Sequence, residues 1–309
     1  MKRVFCVRMG ILIYLTKGAI KEMLKKKIDY SREFLQEQLH LFQCPKCQSQ
    51  FIEVSGNSII CQNRHQYDLS KKGTIHFPNH HLSSDYDKEM LLSRRKMIQQ
   101  GIYKQLEEKI VLLLNELPKE TVVVDMGCGE GSFVQRLKEQ TTSQKIFSGF
   151  DLSKDGVQLA SDFSEQGFFF IGDVTAMPFQ DESIDCLLNI FSPSHYEEML
   201  RVLKPGAIMI KVIPESHYLK EMRELFYHDN PEKQEYSNEN VYEKFKKDVS
   251  LIQEERVTYQ VPIFHKDYED TLKMSPILWG ASDTAKKYAK ENPFKELTID
   301  VKILVGKKQ

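Results

Sequence analysis

Four residues in the first quarter of the chain have the types and spacing of metal ligands. Cys44-Pro45-Lys46-Cys47 is followed, after a gap of thirteen residues, by Cys61-Gln62-Asn63-Arg64-His65, a C-x2-C-x13-C-x3-H pattern. Two such turns facing each other give tetrahedral Zn²⁺ its four ligands, and a shell closed by four protein ligands is structural, not catalytic. About forty residues carry too few apolar side chains to fold alone, so the metal supplies the missing stability. His40, His76, His80 and His81 are nearby rivals for the fourth position, and His65 is preferred because it shares a turn with Cys61. Cys6, Cys128 and Cys186 read as packing residues. Scattered cysteines of this kind make no disulfide framework and point to a reducing compartment, the cytoplasm.

A second constellation is Asp125-Met126-Gly127-Cys128-Gly129-Glu130-Gly131, directly after the apolar run Val122-Val123-Val124. Glycines at such a turn permit positive φ and let a ligand approach the backbone. The helix that follows aims its free N–H groups and positive dipole end at that ligand. Asp151 lies twenty-two residues after Gly129 and can accept both hydroxyls of a ribose. Asp173, with Val174 beside it, ends a third strand where an adenine amino group can be read. Dinucleotide-binding folds also carry a glycine-rich turn, but the carboxylate of Glu130 inside the loop suits no pyrophosphate. It suits the ammonium of a methionine moiety, and the ligand predicted here is S-adenosylmethionine (SAM).

The elements that must hold these residues alternate. Strands are expected at 121–125, 145–151, 167–172, 184–191 and 207–213, and helices at 131–139, 154–163 and 196–202. Continuous apolar strands separated by helices specify a doubly wound parallel sheet of the α/β class. A further helix is expected at 218–227, and the alternating stretches 256–261 and 297–305 are expected to pair as an antiparallel hairpin. Residues 228–255 are polar and show no clear core. The chain divides into a basic, partly helical extension (1–40), a zinc-binding domain (41–80) with a hairpin turning at Ser55-Gly56-Asn57, a helical linker (81–118) and the α/β domain (119–309).

The bulk numbers constrain the rest. At 309 residues, 41% hydrophobic and 28% charged, the composition is that of a globular protein. A net charge of -1 rules out a globally basic nucleic-acid binder, though not a local basic patch. No apolar run is long enough for a membrane-spanning helix. The apolar patch 10–15 behind Lys2 and Arg3 is too short and too soon interrupted by Lys17 for a secretory signal, and Met23 is an alternative start.

The combination resembles the RlmA family of bacterial 23S rRNA guanine-N1 methyltransferases from about Leu41 onwards. The resemblance rests on Cys61 to Gly73, on Ser93-Arg94-Arg95-Lys96-Met97 with Gly101-Ile102-Tyr103, on Asp125 to Gly131, on Ile190-Phe191-Ser192-Pro193 and on Met274-Ser275-Pro276. It implies a class I (Rossmann-like) SAM-dependent methyltransferase with a small N-terminal zinc-ribbon-like domain. It also implies SAM contacts at Tyr103, at Gly129 with Glu130, and at the start of the helix after the fifth strand. There the family carries a histidine and this chain offers Tyr218, with His217 one position earlier. The implied substrate is a guanine in a 23S rRNA hairpin loop; a homodimer stays open.

Guanine N1 carries a proton that must leave, and loop bases are reached by splaying them onto aromatic side chains. Phe191, Ser192 and Pro193 are the expected base-holding loop, at the carboxyl edge of the sheet. Arg94, Arg95 and Lys96 are candidate phosphate contacts, with Lys46, Arg64, Lys71 and Lys72. No side chain stands out as a general base. The alternatives are a small-molecule methyltransferase of the same fold, against which the zinc module argues, and a non-catalytic zinc-ribbon RNA-binding protein that senses SAM.

Overall fold

The computed structural model describes residues 25–78, 86–230, 232, 234 and 236–308, and the backbone alone of 5–8 and 11–14. The linker residues 79–85, His80 and His81, Met23 and the side chain of Cys6 lie outside what is described.

The strands are β1 (Phe5–Arg8), β2 (Ile11–Tyr14), β3 (Phe51–Ser55), β4 (Ser58–Cys61), β5 (Gln66–Asp68), β6 (Ile75–His76), β7 (Val122–Met126), β8 (Ile146–Asp151), β9 (Phe168–Ile171), β10 (Ile184–Ile190), β11 (Leu203–Pro214), β12 (Ser250–Pro262) and β13 (Glu296–Lys307). The α-helices are α1 (Lys27–Gln38), α2 (Lys88–Gln99), α3 (Lys104–Glu116), α4 (Ser132–Gln140), α5 (Lys154–Ala160), α6 (Tyr196–Val202), α7 (Lys220–Phe226), α8 (Glu239–Asp248), α9 (Tyr268–Lys273) and α10 (Asp283–Glu291). β1 and β2 pair antiparallel with each other.

Eight strands form the main sheet in the order β12-β13-β11-β10-β7-β8-β9-β6. Its centre is parallel, as the apolar runs require. All five residues of β7 are buried, because helices cover both faces. Val123 belongs to one apolar cluster and Val122 and Val124 to the other, so alternation along the strand splits the core into two layers. The expected terminal pairing holds: β12 runs antiparallel to β13 from Ser250 opposite Lys307 to Pro262 opposite Glu296. The polar stretch 228–255 does contain structure. It holds α8, anchored by the fully buried Phe245, and the first part of β12.

The boundaries expected at residues 40 and 80 do not separate independent units. Leu35 of α1 is fully buried and Phe34 stacks on Phe168 of the sheet at 5.3 Å. Phe42 bridges to Phe179, and their rings lie 5.0 Å apart. β6, at the end of the cysteine-bearing segment, adds to the main sheet in parallel beside β9. Phe77 packs edge-on against Phe170 at 5.1 Å. One phenylalanine-rich cluster therefore welds α1, the hairpin and the α/β sheet together.

Candidate active site and metal centre

The metal ligands converge. The sulfur atoms of Cys44, Cys47 and Cys61 and Nδ1 of His65 all lie within 4.8 Å of one another. Individual separations are 3.2 Å for Cys47–His65, 3.5 Å for Cys44–His65, 3.6 Å for Cys61–His65 and 3.8 Å for Cys47–Cys61. A tetrahedron with Zn–S of about 2.3 Å and Zn–N of about 2.0 Å has edges of roughly 3.5–3.8 Å, so the donor set fits Zn²⁺. The sequence builds two matching turns. Gln48 N donates to Cys44 O at 2.7 Å and Arg64 N to Cys61 O at 2.9 Å, and Gln48 and Arg64 both adopt positive φ. The backbone N–H of His65 points at Cys61 Sγ at 3.3 Å, an outer contact that orients the sulfur as a ligand. With protein neighbours alone, burial pushes the Cys44 thiol up to about 11, while the Ser49 hydroxyl beside Cys47 pulls that thiol down to about 5. His65 is the histidine in the cluster, as its spacing indicated.

A cleft of about 640 Å³ opens at the carboxyl ends of β7, β8, β10 and β11. Asp125, Gly127, Gly129, Glu130, Asp151, Val174, Tyr103 and Tyr218 all line it, as do Phe191, Ser192, Pro193 and Arg94. The glycines are required by close approach. At Gly127, φ is +79° and a Cβ would stand 2.5 Å from Ser192 Cβ; at Gly131, φ is +85° and a Cβ would stand 2.8 Å from Ala160 Cβ. Asp151 fixes the loop by accepting from Gly129 N at 2.9 Å and from Ser153 N at 2.7 Å. Phe191, itself at positive φ, stacks on Tyr218 at 5.2 Å, and the hydroxyls of Tyr103 and Tyr218 bond at 2.6 Å.

The electrostatics select a cation. Asp125 is 2% exposed, and its Oδ1 has no hydrogen-bond partner. Burial, with the charges of Asp151 and Glu130 adding to it, pushes its carboxyl up to about 7. A buried carboxylate of this kind needs a positive group to face it. SAM brings two, the ammonium and the sulfonium, so the residues present fit it.

Five of the expected site residues are engaged elsewhere. Glu130 is not free to meet an ammonium, because it accepts from Arg95 Nε at 2.8 Å and from Ser132 Oγ at 2.7 Å. Arg95 is in turn not a phosphate contact; it also pairs with Asp162 at 2.7 Å, and its side chain is 12% exposed. Asp173 closes a local turn on Thr175 N at 2.8 Å and lies outside the cleft lining, where Val174 takes its place. His217 turns outward toward Asp300 at 3.5 Å, and Tyr218 occupies the cleft instead. Lys96, likewise, is engaged by Asp270 and Asp267.

The cleft contains residues that the sequence reading passed over. Lys211 lies on its wall, and Tyr236, Asn238 and Val241 line it from the polar stretch. In the polar stretch the signal was the sparse apolar set Val241, Tyr242, Phe245 and Val249, of which the fully buried Phe245 anchors α8.

Comparison with known proteins agrees with this geometry. A family model described as a methyltransferase domain matches residues 117–269. The zinc-ribbon model described as RlmA, N-terminal, matches residues 42–84. YxjB of Bacillus subtilis (strain 168), provisionally named a 23S rRNA (guanine-N1)-methyltransferase, is 34% identical over 293 residues, covering 92% of this chain and 100% of that protein. A 23S rRNA (guanine(748)-N1)-methyltransferase of Streptomyces fradiae is 22% identical, covering 85% of this chain and 95% of that protein.

Proposed function

The chain belongs to the RlmA family of 23S rRNA guanine-N1 methyltransferases, and from that premise we propose that it methylates N1 of a guanine in a 23S rRNA hairpin loop, with SAM as the donor. One observation favours RNA over a small acceptor: the SAM cleft continues into a groove built by the zinc module. Lys71, Lys72 and His76 line that groove on one side and Lys154 on the other, and it shares Tyr86, Leu152 and Ser153 with the cleft. Asp68 and Asp155 also line the groove, so its three lysines leave a modest positive balance; a lysine-bearing groove that leads to the cofactor site suits a phosphate backbone delivering one base.

SAM supplies the electrophilic methyl group when bound. The protein aligns donor and acceptor and excludes water. In this reading Asp125 faces the ammonium, Asp151 the ribose, and Val174 the adenine. Phe191 stacks on Tyr218 and meets Tyr103 at a tilt, and the three rings form an aromatic wall for the acceptor side. Ser192 holds that wall against the SAM loop through its hydroxyl, which donates to Met126 O at 2.6 Å. Arg94 donates to Met274 O at 3.0 Å, tying the linker helix to the late Met274-Ser275-Pro276 segment across the cleft. An rRNA substrate puts the work in the cytoplasm, and no described helix is long and apolar enough to cross a membrane.

The test is methyl transfer from SAM to rRNA lacking the modification, read by primer extension. An N1-methyl group blocks the pairing edge, so reverse transcriptase should stop at one guanine. SAM binding without any such stop would sink the RNA reading in favour of a small acceptor.

A further inference from the structure

The proposed reaction needs somewhere to send the guanine N1 proton, and beyond the carboxylates of the SAM loop the cleft holds a buried amine. Lys211 is 2% exposed, yet it lines the cleft beside the Phe191–Pro193 loop. Its ammonium group has no carboxylate partner among the described residues. It donates to Asn189 Oδ1 and, at 2.7 Å, to Ser194 Oγ. Asn189 is itself held in place: its amide donates to Ser192 Oγ and to Pro193 O, both at the base-holding loop. In the neutral amine, with both N–H groups engaged in this way, the one lone pair is left for a third partner.

Resting on the rRNA reading above, we infer that Lys211 is the base of the reaction, held by Asn189 and Ser194 so that its free lone pair meets the N1–H edge of the target guanine. The N1 proton moves to Lys211 Nζ as the N1 electron pair forms the bond to the methyl carbon. The carbon–sulfur bond breaks with its electrons remaining on sulfur. The products are neutral N1-methylguanine and S-adenosylhomocysteine, and Lys211 then passes its proton to solvent.

The surroundings support a neutral amine. Burial pulls the Lys211 ammonium down to about 8, and no charged neighbour opposes it. On this face of the sheet α6 brings Tyr196, whose phenol burial keeps protonated, and α8 brings Lys244 over the Tyr196 ring and Asp248. The opposite strand of β13 presents Leu304, and Asp125 lies on the SAM side of the cleft. None of these supplies Lys211 with a counter-charge. A base that titrates close to the working pH is the efficient case.

The experiment measures single-turnover methylation of unmodified 23S rRNA from pH 6 to 10, with SAM affinity measured separately by calorimetry. For the unaltered chain the rate should rise with pH and level off above about pH 8. Lys211→Met and Lys211→Arg should both lose at least about 100-fold at pH 7.5, within the range for losing a general base. Both should keep SAM affinity within about 2-fold, and their residual rates should keep climbing with pH without a plateau. Asn189→Asp, which sets a carboxylate against the ammonium, should move the plateau to higher pH. A Lys211→Arg enzyme that stays active overturns the proposal, since a guanidinium can hold guanine O6 but cannot take the proton. So does a Lys211→Met enzyme within about 3-fold of the original. An unaltered chain that methylates no guanine removes the rRNA reading together with this one; an active chain with an equally active Lys211→Met removes only this one.

Discussion

Arg95 of the linker helix and Glu130 of the SAM loop form an almost buried ion pair, Nε to Oε2 at 2.8 Å with side chains 12% and 3% exposed. Arg95 also donates to the Glu130 backbone oxygen at 2.7 Å and reaches Asp162 beyond it. The residue expected to touch RNA and the residue expected to touch SAM thus hold each other, and the linker is locked to the loop that cradles the cofactor.

Removing one partner should therefore be costly. Burial raises the Glu130 carboxyl even with Arg95 beside it, so an unpaired Glu130 is strongly disfavoured. Arg95→Met is expected to lose about 3–5 kcal/mol of stability in urea unfolding, the range for breaking a buried pair. It should also weaken SAM binding by loosening the loop. Arg95→Met combined with Glu130→Gln should recover most of the loss, because no buried charge is then left alone. An Arg95→Met variant as stable as the parent would remove the brace.

Zinc should stabilise more than its own hairpin. Phe42 and Phe77 border the metal turns and pack into the sheet through Phe170 and Phe179. The purified chain is expected to carry one zinc, and Cys61→Ser should lose it. Chelation should lower the unfolding temperature of the whole chain in a single transition. Two separate transitions, with the sheet unaffected, would contradict a shared core.

These two cases show what the sequence displayed and what it hid. The zinc quartet and the Gly127–Gly131 turn were legible because each packs its chemistry into a short stretch with strict local geometry. The strands β7 to β11 followed from the apolar runs, but the joining of β6 to the sheet edge did not. The roles of Arg95 and Glu130 were not legible, since their pairing joins positions thirty-five residues apart across a fold. The same holds for α1, whose amphipathic pattern reads as a free basic helix until Leu35 is seen under the sheet. Lys211 sits in an apolar strand where a lone lysine looks like an exposed interruption; only the neighbouring Asn189 and Ser194 show why it can stay inside.

Asp151 anchors the loop and is proposed to receive the ribose. Asp151→Ala is expected to weaken SAM binding by about 1.5–3 kcal/mol, the range for charge-assisted hydrogen bonds. Calorimetric titration checks this, and an unchanged affinity would refute the ribose assignment.

Asp125 should make SAM binding depend on pH. Its carboxyl stands at about 7 in the folded chain, against an ordinary value of 3.8. A folded pKa raised in this way means that the native state binds the extra proton, so the chain without ligand loses stability as pH rises from about 4 through 7. SAM reverses the preference, because its ammonium favours the carboxylate. Binding should therefore expel a proton from Asp125. Affinity is expected to increase as pH rises through about 7 and then to level off, and the stabilisation that SAM gives against heat should be larger at pH 8 than at pH 5. Titrations near pH 6.5 in buffers of different ionisation enthalpy should report release of about three-quarters of a proton per SAM bound. Asp125→Asn should abolish the release and flatten the profile. A pH-independent affinity with no proton exchange would place the ammonium elsewhere and leave Asp125 with only its neighbours Asp151 and Glu130 to explain its burial.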